Sequence, residues 1–434
     1  MDPEIIGLVV TMTVLGSAMG TFTGMVPGIH VNTLSAVMAS MLPVLSELLS
    51  PFVNEGYTAI CVSSCIFSAS IVHSFVDYVP SLFIGAPDPD DVVSMLPGHR
   101  LLAEGLGMSA VRSAAIGSCV GACSSILLSI PMQYLLLSGL GDYLDGLTWI
   151  VLIAAVLMMI LHEKSVRGMF WATICLTVSG LLGIVCMDLP IPSTGITGEG
   201  TLLFPLLTGL FGIPGLLQSM GKTELKEQKD DIPLPVGPVP GIKGLLTGTL
   251  TGWFPGITAT TGAVIASKVS PENTREGFIA LTASIGTASS IMMLTTLSVT
   301  GKGRSGCLIN ISEILGDTVI GWLKENYLLL LLTASVAAFI GYGVTISCGK
   351  LMCSFSSEIS PKILNGSCLV LVVILVILMT GPYGLMILII SSFCGFLPIA
   401  AGVSRIQMTG CLIVPTLLTY LNVRDFLISM LINP

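Results

Sequence analysis

One segment of this chain occurs twice, and each copy joins a glycine-rich apolar stretch to a Pro-Gly break. Residues 16–33 are GSAMGTFTGMVPGIHVNT, and residues 244–261 are GLLTGTLTGWFPGITATT. At an offset of 228 positions the identical pairs are Gly16/Gly244, Gly20/Gly248, Thr21/Thr249, Thr23/Thr251, Gly24/Gly252, Pro27/Pro255, Gly28/Gly256, Ile29/Ile257 and Thr33/Thr261. A second match follows in the same order, with Glu55-Gly56-Tyr57-x-Ala59 against Glu276-Gly277-Phe278-x-Ala280. The chain is therefore a tandem duplication.

The composition places this duplication in a membrane. Of 434 residues, 53% are hydrophobic and only 10% are charged, whereas soluble proteins have about 25% charged residues. Apolar runs of membrane-spanning length recur, and they are continuous rather than alternating, which favours helices over a barrel. We therefore predict an all-α polytopic membrane protein. Duplicated membrane proteins with helices broken at corresponding positions are typically transporters.

A polar stretch, Gly221–Gly241, separates the two copies and carries three lysines, Lys222, Lys226 and Lys229. Short basic loops stay in the cytoplasm, so we predict a cytoplasmic linker that is exposed and tolerates substitution. The chain then divides into a first membrane repeat, the linker and a second membrane repeat, at residues 1–220, 221–240 and 241–434.

The loop charges favour an inverted-topology repeat. Counted back from the linker, the loops of the first half alternate between basic and non-basic, and the half contains an odd number of crossings. The loop Lys268–Arg275 is basic, although it matches the acidic outer loop Ser46–Glu55 of the first copy. An inverted second copy explains this difference. Lys302 and Arg304 are the exception, because they fall on the predicted outer face.

Each Pro-Gly break predicts a hairpin with a ligand site at its tip. Proline ends the helical hydrogen-bond ladder and glycine allows the reversal. The helix after each break presents free N–H groups and a positive dipole end, which suit an anion. The predicted substrate-binding residues are Gly28, His30, Asn32, Thr33, Gly256, Thr258, Thr260 and Thr261. In the alternative interpretation each tip is a plain turn whose hydroxyls cap the next helix.

A second set of polar residues lies within predicted spans. We predict an ion-binding or gating role for Ser64, Ser68, Asp77, Ser284 and Thr287, with His73 on the same span as Asp77. Intramembrane His and Asp indicate function by default. In the alternative, the hydroxyls bond to backbone carbonyls of their own helix, and His73 and Asp77 lie at the interface.

Several functional classes find no motif in the sequence. There is no Walker A motif, H-E-x-x-H or G-x-S-x-G, and no basic stripe that suggests nucleic acid. The string Gly139-Leu140-Gly141-Asp142 resembles part of an intramembrane aspartyl protease motif, but it has no Tyr-Asp partner in another span. The cysteines lack metal-ligand spacing. We therefore expect no enzyme activity, no cofactor, no metal and no nucleic acid.

Four stretches resemble the large membrane subunit of the tripartite tricarboxylate transporters, the TctA-type permease family, in its prokaryotic and often archaeal branch. They are the two Pro-Gly segments, VPSLFIGAPDPDD (79–91) with MLPGHRLLAEG (95–105), and PLLTGLFGIPGLL (205–217). The resemblance implies a permease of about 12 helices in the prokaryotic cell membrane that moves carboxylates with ion coupling. It also implies a small membrane subunit and an extracytoplasmic binding protein as partners. GKGRSGCLINISE (301–313) departs from the family pattern.

The first functional hypothesis is a secondary transporter for a small organic anion, a di- or tricarboxylate, driven by Na⁺ or H⁺. The hairpin tips would hold the carboxylate, and unwound carbonyls near Gly28 and Gly256 would hold the cation. The second hypothesis is a flippase for an anionic lipid carrier such as a polyprenyl phosphate. A laterally open polar groove favours the lipid, and a closed pocket favours the soluble anion.

Overall fold

The computed structural model describes the residues 3–26, 30–51, 53–54, 57–84, 95–195, 198–199, 201–219, 226–230, 232–356 and 361–432. The first break, Pro27-Gly28, therefore lies outside the described residues, as do Lys222 of the linker and residues 85–91 of the family signature.

The first half of the chain is helical apart from one small β-hairpin. Its elements are, in order, α1 (Pro3–Met25), α2 (Val31–Ser40), α3 (Leu42–Leu49), α4 (Thr58–Val76), α5 (Tyr78–Ile84), α6 (Met95–Glu104), α7 (Gly107–Leu135), α8 (Gly141–Leu161), α9 (Val166–Asp188), the antiparallel strands β1 (Thr194–Gly195) and β2 (Gly198–Glu199), α10 (Leu203–Leu207) and α11 (Ile213–Ser219). One π-helical turn joins α7 to α8, and another joins α10 to α11.

The second half is also helical. Its elements are α12 (Val239–Trp253), α13 (Ala259–Val269), α14 (Arg275–Thr300), α15 (Gly306–Leu315), α16 (Val319–Ser356), α17 (Pro361–Ala401), α18 (Gly410–Tyr420) and α19 (Arg424–Ile432). The predicted linker is two residues too long, because α12 begins at Val239. Pro240 is accepted there because the first turn of a helix needs no backbone donor.

Seven helical stretches among the described residues are long and apolar enough to cross a membrane. The predicted all-α membrane protein is thus confirmed at this level. The stretch Gly107–Leu161 has 55 residues and would be about 80 Å long if straight, far more than a bilayer. Gly139, with φ of 109°, breaks it, and Gly381, with φ of 66°, breaks α17 in the same way.

The glycine stripe of each copy lies against the backbone of a parallel helix. In α1, a Cβ atom added to Gly16 or Gly20 would lie 2.1 or 2.4 Å from the carbonyl oxygens of Cys65 and Ala69 in α4. Glycine is the residue that permits such an approach. These glycines, which recur every four residues in each copy, therefore serve the close packing of two helices.

The second copy repeats this contact between α12 and α14. Gly244 faces the carbonyl of Leu281, which lies 216 positions after Cys65, and Gly248 and Gly252 keep the same register. The packing thus aligns α4 with α14 at an offset of 216, whereas the glycines themselves match at 228. The first copy therefore has 12 more residues (228 − 216) between its glycines and the matching part of α4, and it carries the additional helix α3 there.

The helix α16 shows that α4 and α14 run in opposite directions. Along α16, Tyr327 bonds to Thr295 near the end of α14, at 2.8 Å. Later, Gly341 of α16 lies against Phe75 near the end of α4, and Lys350 lies 3.8 Å from Asp230 in the linker. The end of α4 is therefore nearer the linker than the end of α14.

The linker is docked on the helices at Gln228 and Asp230, two points where the expected tolerance to substitution does not follow from the structure. Gln228 Oε1 accepts a hydrogen bond from the free N–H of Gly107 at the start of α7, at 2.9 Å. Arg112 Nε and Nη2 donate to the two carboxylate oxygens of Asp230 at 2.9 and 2.8 Å. The open N-terminus of α7 and the fork of Arg112 supply the physical reason.

Ion pairs mark the two ends of the helical bundle. Near the linker they are Arg112–Asp230, Lys350–Asp230, Lys243–Glu272 and Arg275–Glu104. Away from the linker, near the start of α8 and the ends of α9 and α14, they are Arg304–Asp145 and Arg424–Asp188. We call these ends the linker face and the opposite face.

Candidate functional site

The second hairpin has the break that its sequence predicts. The helix α12 has 15 residues and α13 has 11, and neither reaches the length of about 17 that a span needs. Between them, Gly256 adopts φ of 80°, a conformation that side chains with a Cβ rarely take. A Cβ at this position would lie 3.1 Å from the side chain of Thr416 in α18.

The threonines after this break serve the helix start. Thr258 is the N-cap of α13, and its Oγ1 accepts a hydrogen bond from the N–H of Thr261 at 3.3 Å. Thr260 and Thr261 are fully buried, and the Oγ1 of Thr261 lies 4.0 Å from the sulfur of Met159. These contacts are those of the capping interpretation.

A cavity of about 540 Å³ lies beside the tip of this hairpin. We call it the tip cavity. Its lining residues are Asp145, Met187, Pro255, Lys302, Arg304, Pro415, Thr416, Thr419, Tyr420, Asn422 and Arg424. Three of these side chains are cationic and one is anionic. With Asp188, the partner of Arg424 behind the wall, the three cations and two carboxylates sum to plus one (3 − 2), which suits an anion.

Arg304 is held in the wall of the tip cavity by two contacts. Its guanidinium donates to Tyr420 Oη and to Asp145 Oδ1, both at 3.3 Å. Its side chain is only 8% exposed, and its Nε has no hydrogen-bond partner among the residues that the structure describes. A buried guanidinium with long bonds and an unused donor can accept a further anionic ligand.

Arg424 and Lys302 complete the positive side of the tip cavity. Arg424 pairs with Asp188, a fully buried carboxylate at the end of α9, and also donates to Thr419 Oγ1 at 3.4 Å. Lys302 is exposed. Lys302, Arg304 and Arg424 were not among the residues predicted from the sequence to form the site. Two of them could have been noticed in the sequence, because Lys302 and Arg304 were the basic residues that did not fit the predicted topology.

The first hairpin is described from His30 onward. His30 is the N-cap of α2, and its Nδ1 accepts a hydrogen bond from Asn32 N at 3.1 Å. Thr33 N donates to the carbonyl of His30 at 3.0 Å. Asn32 Oδ1 accepts from Cys307 N at the start of α15, at 3.1 Å. The three predicted residues thus cluster at one helix start, and Asn32 links it to α15.

A buried histidine lies next to this helix start. The ring of His73 in α4 is 4.9 Å from the ring of His30, centroid to centroid. His73 Nδ1 is 3.0 Å from Thr23 Oγ1 of α1, and His73 Nε2 is 4.0 Å from Asp77 Oδ2. The predicted residue Asp77 therefore belongs to a cluster with His73 and the first hairpin.

The predicted hydroxyl residues form helix contacts. Ser68 Oγ donates to Cys65 O in its own helix, and Ser284 Oγ donates to Gly241 O of α12 at 2.6 Å. Thr287 Oγ1 donates to Ser118 O of α7 at 3.0 Å. Ser64 is fully buried, and its Oγ lacks a hydrogen-bond partner within the described part of the chain. The structure does not bring these four residues together at one site.

The loop between α14 and α15 connects the two hairpins. Lys302 and Arg304 of this loop line the tip cavity beside the second hairpin. Two residues later, Gly306 lies against the side chain of Asn32 in the first hairpin. Deeper in the same contact, Asn310 Nδ2 donates to Ser35 Oγ at 2.6 Å. A shift of either hairpin would therefore move this loop.

The described residues contain no group of three or more His, Cys, Asp or Glu side chains that could hold a metal ion. The described parts of the two hairpins and their neighbours offer hydrogen bonds, fixed cations and a His-Asp pair. Such groups can bind an anion and a proton.

The comparisons with known proteins agree with this description. The model of the Tripartite tricarboxylate transporter TctA family matches residues 10–410. An uncharacterized protein of Methanocaldococcus jannaschii is 26% identical over 422 residues, which cover 94% of this chain and 98% of that protein. No solved structure matches the chain. Because the family match extends over most of the chain and includes both hairpins, the chain belongs to the tripartite tricarboxylate transporter TctA family.

Proposed function

We propose that this protein is an ion-coupled secondary transporter that carries a di- or tricarboxylate. Membership of the family implies a role in transport. The observation that carries the choice of substrate is the tip cavity, where three cationic side chains surround the break of the second hairpin. No observation on the described residues favours the lipid flippase.

The size and charge of the tip cavity support a small organic anion. Its volume of about 540 Å³ lies within the range of about 300 to 1,000 Å³ that is usual for small-molecule sites. A guanidinium can bind a carboxylate with two parallel hydrogen bonds, and an ammonium adds a point charge. Arg304, Arg424 and Lys302 offer three cationic side chains to a carboxylate substrate, although Arg304 and Arg424 each also pair with an aspartate of the protein.

The second part of the proposal is an inverted-topology repeat of about 12 helices, with a first repeat in residues 1–220 and a second in 241–434. Three observations support it. The glycines of α1 and α12 pack in the same way, α4 and α14 run in opposite directions along α16, and a glycine break divides both Gly107–Leu161 and α17. Rocking of one repeat against the other would expose the site alternately on each face.

The proposed partners and location follow from the family and the charges. Tripartite transporters include other subunits, and we propose a small membrane subunit and an extracytoplasmic binding protein, in a prokaryotic cell membrane. The linker face holds the basic residues Arg112, Lys243, Arg275 and Lys350, so it is the cytoplasmic face in this proposal. The tip cavity then faces the outside, where a binding protein would deliver the substrate.

The test is exchange of labelled citrate by the protein, reconstituted in liposomes together with its proposed small membrane subunit and binding protein, with Arg304→Gln as the variant. Exchange requires binding and translocation but no net driving force. Loss of one charged hydrogen-bond partner typically costs about 1.5 to 3 kcal/mol, so we expect the half-saturating citrate concentration to rise by about tenfold to a hundredfold. Arg275→Gln is the matched control, because its partner Glu104 is also partly exposed but lies on the linker face.

The two outcomes separate clearly. The proposal gains support if Arg304→Gln weakens citrate exchange and Arg275→Gln does not. It fails if the wild-type protein exchanges none of citrate, succinate and malate, or if Arg304→Gln exchanges citrate with unchanged affinity. Transfer of a fluorescent polyprenyl phosphate between leaflets, measured on the same liposomes, would point to the flippase instead.

A further inference from the structure

The contacts of Thr23 favour one placement of the protons on Thr23 and His73. Thr23 Oγ1 lies 3.2 Å from the carbonyl of Gly20 and 3.0 Å from Nδ1 of His73. A hydroxyl has a single proton, so both contacts are hydrogen bonds only when that proton goes to the carbonyl of Gly20 and His73 donates from Nδ1.

This assignment leaves the other ring nitrogen as an unprotonated acceptor in neutral His73. The Nε2 atom is buried, has no hydrogen-bond partner among the described residues and lies 4.0 Å from Asp77 Oδ2. A proton on Nε2 is stabilised by the carboxylate of Asp77, because an opposite charge within about 4 to 6 Å favours the charged form of the imidazole. The site is therefore built for one additional proton.

We propose that the pair His73–Asp77 beside the first hairpin binds the coupling proton, so that H⁺ drives carboxylate transport. The proposal rests on the proposed function, because it names the ion that moves with the carboxylate. The proton adds to the Nε2 lone pair of neutral His73, and the imidazolium pairs with the carboxylate of Asp77. Release of the same proton to water restores neutral His73.

The surroundings of His73 favour this pair as the titrating site. The titratable side chains of α1 and α14 lie in the first turns of these helices, Glu4 in α1 and Arg275 and Glu276 in α14. Other neighbouring elements bring His30 (α2), Tyr78 (α5), Arg112 and Cys119 (α7), Cys307 (α15) and Tyr342 and Cys348 (α16). Of these, only His30 normally titrates between about pH 5 and 8, and its Nδ1 is already an acceptor for Asn32 N.

The second copy has no equivalent of this pair. In the packing register that aligns α4 with α14, His73 corresponds to Ser289 and Asp77 to Met293. Thr251 still corresponds to Thr23 and donates to Gly248 O as Thr23 does to Gly20 O. The two copies have thus diverged, with the titratable pair at the first hairpin and the cationic cavity at the second.

The contacts between the hairpins provide a route for coupling. His73 lies against His30, the N-cap of α2, and Asn32 of α2 holds the start of α15. The loop just before α15 carries Arg304 into the tip cavity. A change of charge at His73 therefore acts on an element that also carries a cation of the anion site.

The first measurement is accumulation of labelled citrate in liposomes without sodium, with the membrane potential held at zero. A pH gradient of one unit is worth about 1.4 kcal/mol per proton, so one coupled proton supports about tenfold accumulation. We expect His73→Gln and Asp77→Asn to reduce the accumulation ratio to about one while citrate exchange continues. His162→Gln, which changes a histidine at the end of α8, should accumulate citrate as the wild type does.

The second measurement does not depend on transport or on a folded variant. The protein has four histidines, which are labelled with ¹⁵N. The NMR signal of His73 is the one that is absent from the spectrum of His73→Gln. If that variant does not fold, the other three signals are assigned from variants of their own histidines, and the remaining signal is that of His73. We expect the Nδ1–H tautomer at alkaline pH, which is the less common neutral form, and a doubly protonated ring when the pH falls.

The results that overturn the proposal are distinct from those that overturn the proposed function. Accumulation of citrate by a sodium gradient and not by a pH gradient rejects the proton but keeps the carboxylate transporter. A His73 ring that stays in the Nε2–H tautomer between about pH 5 and 8 also rejects the proton site. Failure of every carboxylate to exchange rejects the proposed function, and the histidine spectra still decide whether His73 binds a proton.

Discussion

At the scale of single residues, the glycines of α1 differ sharply in their surroundings. A Cβ on Gly20 would lie 2.4 Å from the carbonyl oxygen of Ala69, whereas a Cβ on Gly7 would meet nothing within 4 Å. We expect Gly20→Ala to lower the unfolding temperature of the purified protein, because α1 and α4 must separate. Gly7→Ala in the same helix is the control and should leave it unchanged or raise it. Equal unfolding temperatures would show that α1 and α4 do not pack as described.

Gly256 offers a second prediction at this scale. Its φ of 80° is strained for a β-branched residue, and a side chain would press on Thr416 in the wall of the tip cavity. We expect Gly256→Val to abolish citrate exchange while the protein remains folded. Gly286→Val is the control, since a Cβ on Gly286 meets nothing within 4 Å. A destabilised Gly256→Val protein that exchanges citrate with normal affinity would remove the hairpin tip from the site.

Single residues also show where prediction from the sequence ends. His30, Asn32 and Asp77 were predicted, because polar groups next to a break in an apolar segment are visible in the sequence. Arg304 was missed as a site residue, since its partners Asp145 and Tyr420 are 159 and 116 positions away. Ser284 and Thr287 were predicted to bind an ion or to act in gating. Their hydrogen bonds to backbone carbonyls of α12 and α7 could not be predicted, because only the packing determines them.

At the scale of elements, the docked linker gives a prediction for the cytoplasmic side. The Arg112 guanidinium beside Asp230 holds the pKa of that carboxyl below its ordinary value. The pair is therefore complete at neutral pH and is lost only when the pH falls through this lowered pKa. We expect Asp230→Asn to release the linker at neutral pH, so that trypsin cleaves faster at Lys226 and Lys229. Glu227→Gln, a change at an exposed position in the same segment, is the control.

The opposite result would be as clear. If trypsin cleaves Asp230→Asn and the wild type at the same rate, the linker is not held by Arg112. Acidification of the wild type should then also leave the cleavage rate unchanged.

Elements differ in how far their sequence determines them. The Pro-Gly breaks and the short arms of the second hairpin are local properties, and the sequence analysis identified them. The break at Gly381 within α17 was missed, although Pro382 follows it directly, because the apolar run continues across it. The docking of α15 on α2 through Asn32 was not predicted, since the sequence does not show which helix start lies near which loop.

At the scale of the whole molecule, the charge pattern predicts which face lies in the cytoplasm. We expect a cysteine at Lys226 to be labelled only from the inside of intact cells, and a cysteine at Lys302 only from the outside. Both are made in a protein in which the exposed Cys123 is replaced by serine. Labelling of Lys226→Cys from the outside would contradict the proposed orientation.

The duplication and the membrane class follow from the sequence, because both are properties of the chain as a whole. The way the two copies interlock does not follow from it. The helix α14 packs on α7 of the first half through Gly117 and Gly121, and α4 packs on α16 of the second half through Phe75. Such contacts depend on side chains that meet across more than 150 positions.

The most direct test of the account is an experimental structure of the purified protein equilibrated with citrate. The account predicts density for one citrate in the tip cavity, with its carboxylates on Arg304 and Arg424 and its edge against Pro255. Arg304→Gln under the same conditions should lack this density. Citrate bound elsewhere in the bundle, with the tip cavity empty, would contradict the central claim that the break of the second hairpin and its three cations form the substrate site.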